Sequence, residues 1–103
     1  MSPEIRRRPS VEELKTIVKP VAEKYGVEKV YLFGSAARGD HTENSDYDFC
    51  IELGKIRTAS VLSEFFQDLR EAIGREIDLV TARSLDSEFF NTVMTEGIVV
   101  YEQ

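Results

Sequence analysis

The sequence predicts an α/β (α+β) domain in which helices pack against a mixed sheet of about four strands. Three observations carry this. Apolar residues at helical spacing alternate with short runs of β-formers, in the order helix, strand, turn, strand, helix, strand, helix, strand. Glycines stand where most of these elements should stop. The chain has 103 residues, which supports one domain, 1–103, with one modest core.

Each element follows from local chemistry. Ser10 and Glu13 form an S-x-x-E pattern, a capping box that satisfies free amides at a helix start. Val11, Leu14, Ile17, Val18, Val21 and Tyr25 then share a face, predicting a helix from Val11 to Tyr25 that stops at Gly26 and kinks at Pro20. Residues 27–33 read as a strand, ended by Gly34-Ser35, after which Ala36-Ala37-Arg38 could make a helical turn. Residues 39–45 are polar and read as a loop. Residues 46–53 alternate, with Tyr47, Phe49, Ile51 and Leu53 on one side and Asp46, Asp48, Cys50 and Glu52 on the other. A second amphipathic helix carries Val61, Leu62, Phe65, Phe66, Leu69 and Ile73 and closes at Gly74. A strand over 76–81, a helix over 85–96 and a strand over 98–101 complete the chain.

Composition narrows the function. The net charge of -6 argues against a general nucleic-acid binder, which needs a basic face for phosphates. It leaves ATP open, because a divalent cation can stand between carboxylates and phosphates. The single cysteine, Cys50, excludes an intramolecular disulfide and reads as a small buried hydrophobe. No apolar run is long enough to span a bilayer and no signal-peptide core opens the chain, so a soluble, cytoplasmic protein is expected. Residues 1–9, with Arg6, Arg7 and Arg8, read as a mobile tail. His41 falls in the polar loop and reads as solvent-exposed.

The chemistry concentrates in Leu32-Phe33-Gly34-Ser35-Ala36-Ala37-Arg38-Gly39 and Ser45-Asp46-Tyr47-Asp48-Phe49. Asp46 and Asp48 are two apart on a strand, so both carboxylates leave one face, where they repel unless a cation joins them. All-oxygen ligation suits Mg²⁺. Gly34 lets the backbone approach a ligand closely, the amides of the next turn favour an anion, and the Ser35 hydroxyl adds a donor. Arg38 could add charge near phosphates or pair with the acidic loop. Asp78, between Ile77 and Leu79, is a candidate third carboxylate for a pair of metal ions about 3.5–4 Å apart. Taken singly, a Gly-Ser turn or an Asp-x-Asp edge is ordinary surface; at this spacing they describe a metal-triphosphate site.

Gly34-Ser35, ten residues, then Asp46-x-Asp48 resembles the signature of the DNA polymerase β nucleotidyltransferase superfamily. The compact form, with Phe33-Gly34-Ser35-x-x-Arg38-Gly39, is similar to the minimal nucleotidyltransferases (MNT) of prokaryotes, over most of the chain. The resemblance implies a nucleotidyltransferase fold with ATP phosphates on Gly34 and Ser35. It also implies two Mg²⁺ on Asp46 and Asp48, with Asp78 completing the site. It further implies an antitoxin paired with a HEPN-domain ribonuclease toxin, some such proteins transferring AMP to a toxin tyrosine. Three functions are open: a protein adenylyltransferase, an antitoxin that neutralises by binding alone, or a small-molecule transferase like the aminoglycoside-modifying enzymes. The short chain leaves no room for the extra domain the third usually carries.

Overall fold

The structure is a computed structural model that describes residues 10–34, 37 and 47–103. Helix α1 spans Val11–Tyr25, strand β1 Lys29–Phe33, β2 Tyr47–Glu52, helix α2 Ala59–Ile73, β3 Ile77–Thr81, helix α3 Ser87–Glu96 and β4 Ile98–Glu102. The predicted nine-residue tail and the loop over 39–45, with His41, lie outside the described residues.

The first helix has the bounds its caps dictate. The Ser10 hydroxyl accepts from the Glu13 amide at 3.1 Å, and Glu13 accepts from the Ser10 amide at 2.7 Å, closing the capping box. Gly26 ends the helix in the left-handed region, and Pro20 lies within an element that continues through it. The strand begins at Lys29 rather than Val27, because the Val27 amide is still donated back to the Ala22 carbonyl at 3.0 Å. The third helix also starts later than its apolar spacing suggests. A 3-10 turn over Ala82–Ser84 intervenes, and Asp86 caps the Phe89 amide at 2.8 Å.

The four strands lie in the order β3-β2-β1-β4. β1 runs antiparallel to β2 and β4, while β2 and β3 are parallel and joined through α2. Alternation sends Tyr47, Phe49 and Ile51 into the main core with Leu14, Val18, Phe65 and Leu69 of α1 and α2. The Tyr25 and Phe65 rings meet edge to face at 5.7 Å. Asp68 of α2 accepts from the Tyr25 hydroxyl at 2.6 Å and from Lys24 at 3.1 Å, tying the two helices at the rim.

The opposite face of the sheet is covered too. Tyr31, Cys50 and Val93 form a second, smaller buried cluster, with Phe33, Val80, Leu85 and Met94 around it. Helix α3 is therefore the roof of that face. At the middle of this strand side Cys50 is fully buried, as its reading as a small hydrophobe expects.

Candidate active site

The site is built where β1 ends and β2 begins. Antiparallel pairing sets Phe33 opposite Asp48, so the last residue of β1 and the second of β2 are neighbours across the sheet. Gly34, next in the chain, has φ +74. A Cβ placed on Gly34 would collide with Oδ2 of Asp48. Glycine is required twice over: for the left-handed backbone and for the volume that the carboxylate fills.

The parallel register between β2 and β3 places Asp78 directly beside Asp48. Neighbouring strands are about 4.8 Å apart, and paired residues of a parallel ladder point to the same face. Asp48 is half-buried and Asp78 is exposed. Like charges directly opposite each other destabilise a sheet. A divalent cation would offset that repulsion, and hard carboxylate oxygens suit Mg²⁺. Among the described residues no group of three metal-ligating side chains assembles; Asp48 and Asp78 supply two, and Asp46 lies outside the described residues. Ser35 and Arg38 also lie outside them. Of the predicted Ala36-Ala37-Arg38 turn only Ala37 is described; it is helical and packs against the main core.

The floor and wall of the site are apolar. Phe33 meets Phe89 of α3 edge to face at 5.7 Å, and Phe89 is 42% exposed. These rings flank the Asp48 end of the sheet. In sequence, Phe89 and Phe90 are simply apolar positions of the helix predicted over 85–96. The signal that could have set Phe89 apart is that it shares the strand-end level of Phe33, which requires the tertiary placement of α3. Two residues further along β2, burial pushes the Cys50 thiol up to about 11, with the Glu52 charge adding to it. Cys50 is therefore a protonated spacer and not a nucleophile. Tyr47, between the aspartates in sequence, points into the main core and is 1% exposed.

A sheet of this order, presenting paired carboxylates beside an obligatory glycine, is the framework of a nucleotidyltransferase. The chain belongs to the polymerase β nucleotidyltransferase family, whose model matches residues 15–103. It is 32% identical over 95 residues to the protein adenylyltransferase MntA of Thermococcus cleftensis, covering 88% of this chain and 96% of that one. Its fold matches a toxin-antitoxin crystal structure with AMP-PNP at a TM-score of 0.72, with 24% identity over 86% of this chain and 73% of that one. It also matches a Shewanella oneidensis complex of tri-AMPylated HEPN toxin with MNT antitoxin at a TM-score of 0.67. There the identity is 20%, over 90% of this chain and 73% of the other. At these identities the two structures speak for the fold. No helix among the described residues is long and apolar enough to cross a membrane.

Proposed function

We propose that the chain is an Mg²⁺-dependent protein adenylyltransferase that moves AMP from ATP to a tyrosine hydroxyl of a partner HEPN-domain toxin, and so acts as its antitoxin. The observation that carries this is the Asp48 carboxylate seated in the space Gly34 leaves, with Asp78 in register beside it. The adenylyltransferase name of the Thermococcus relative and the HEPN complex of the Shewanella fold neighbour support the choice of acceptor.

Asp46, Asp48 and Asp78 would hold the metal, and Mg²⁺, when bound, neutralises phosphate charge as it develops. Gly34 and Ser35 would position the terminal phosphates, with Arg38 adding charge beside them. The tyrosine oxygen attacks the α-phosphorus, the bond from that phosphorus to the bridging oxygen breaks, and pyrophosphate leaves. The phenol proton would pass to a carboxylate, and Asp78, the exposed member of the pair, is the candidate acceptor. The half-buried Asp48 carboxylate fills the space beside Gly34 that a side chain there would take. The reaction takes place in the cytoplasm on this reading.

The test is label transfer from α-phosphate-labelled ATP with Mg²⁺ to a HEPN partner, run beside the Asp46→Asn, Asp48→Asn double variant. Label on the partner that disappears in the variant supports the reading. No label, with the two proteins still in complex, would leave an antitoxin that works by binding.

A further inference from the structure

The described residues hold a cavity of about 480 Å³ at the end of the sheet away from Asp48. It is lined by Glu28, Glu52, Arg57, Arg83 and Phe90, among others, over an apolar base that includes Ile56. Asp48 and Glu52 are four residues apart on one strand face, hence about 13 Å apart. Between them lies Cys50, fully buried beneath α3 with Val93. The cavity is thus separated from the candidate active site by packed side chains.

Its polar lining is arranged. Glu52 is fixed through one oxygen: the buried Tyr31 hydroxyl donates to Glu52 Oε2 at 2.8 Å. Arg57 comes from the segment between β2 and α2, and Arg83 from the 3-10 turn after β3. Both arginines are exposed and line the cavity, and the five ion pairs resolved among the described residues involve other side chains, on a chain of net charge -6. Arginines outside such pairs are suited to an incoming anion, which a guanidinium grips in bidentate fashion. Phe90 offers a half-buried ring at the same wall.

We propose that this cavity is a second binding site, distinct from the catalytic end, for a nucleoside monophosphate. The two arginines take the phosphate. Glu28 and Glu52 accept from the donors such a molecule carries, its ribose hydroxyls and exocyclic amine. The flat base lies against Phe90 and the apolar base of the cavity. A cavity of this volume is in the range of small-molecule sites and larger than a simple anion needs.

The experiment is calorimetric titration of the full chain with AMP, adenosine and inorganic phosphate in EDTA, which keeps metal-dependent binding out of the record. It is repeated on Arg57→Gln with Arg83→Gln, and on Asp48→Asn. The expected result is one AMP per chain, weakened by about tenfold or more in the arginine variant and unchanged in Asp48→Asn. Circular dichroism and thermal unfolding of the arginine variant confirm that it remains folded. AMP binding lost in Asp48→Asn but retained in the arginine variant would overturn the proposal and return the ligand to the catalytic end. So would phosphate binding as tightly as AMP, or no AMP binding at millimolar concentration. None of these outcomes bears on adenylyl transfer, which the labelling experiment tests separately.

Discussion

Replacing Gly34 with alanine asks how much of the site rests on one missing side chain. At φ +74 an alanine pays about 1–2 kcal/mol for the left-handed backbone alone. Its methyl group would also occupy the position of Asp48 Oδ2, so the carboxylate must swing away. Moving Asp48 off its rotamer adds about 0.5–1.5 kcal/mol. The sum, about 1.5–3.5 kcal/mol, corresponds to a fall of roughly 6 °C or more in Tm for a domain of this size. The effect on transfer should be larger, because a displacement of about 1 Å at a reacting group can cost about 100-fold. The assay is label transfer from ATP to the partner, paired with thermal unfolding. Gly34→Ala combined with Asp48→Ala supplies the control: with the carboxylate gone the clash disappears, so the double variant should lose less stability than the two singles added together. Full transfer activity in Gly34→Ala would refute the reasoning, because Asp48 would then not need the place it holds. A strictly additive double variant would show that the cost lies in the backbone alone.

Other outcomes follow from the same geometry. Asp78→Asn keeps shape and loses charge; transfer should fall by about 100-fold or more with Tm unchanged or raised, since a like-charge pair is relieved. Gly54→Ala should destabilise more than Gly34→Ala, by about 3 kcal/mol, because the new Cβ would run into the backbone of Gly26 and Glu28, which chemical denaturation measures. The Cys50 thiol should resist alkylation in the native protein at pH 8 and react on unfolding. Its folded pKa of about 11 lies above its ordinary 9.0, so it contributes stability that is complete below pH 9 and is lost as pH rises toward 11. Asp68 is held below its ordinary value by the Tyr25 hydroxyl first and Lys24 second. Its contribution is therefore present above the ordinary value of 3.8 and is lost as pH falls through the lowered one. In Tyr25→Phe an NMR titration should show the Asp68 carboxyl moving back up.

Much of the fold is legible in the sequence because its signals are local. The Ser10-Glu13 box and Gly26 set both ends of α1, and Gly74 closes α2 in the same left-handed way. The pairing of Asp48 with Asp78 is not local. It depends on β2 and β3 being parallel neighbours in a given register, which alternation within either strand cannot state. The sequence expectation for Asp78 rested on its position amid apolar residues and on family resemblance. The second core is legible at Cys50, which reads as buried, but the return of α3 over the face that Asp48, Cys50 and Glu52 share is a tertiary fact that alternation cannot state. Val27 shows propensity losing to capping: a β-branched residue before a strand was drawn into the close of the preceding helix by one hydrogen bond to Ala22.

The contact between Gly34 and Asp48 has a consequence for descent. While the carboxylate is present, position 34 is closed to every residue with a side chain. Once position 48 shrinks, the steric part of that restriction is lifted and only the backbone preference remains. Among chains of this shape, a lineage that has given up chemistry and kept only its grip on a partner is free to drift at both positions together. A side chain at 34 beside a small residue at 48 would mark such a retired enzyme, legible without an assay.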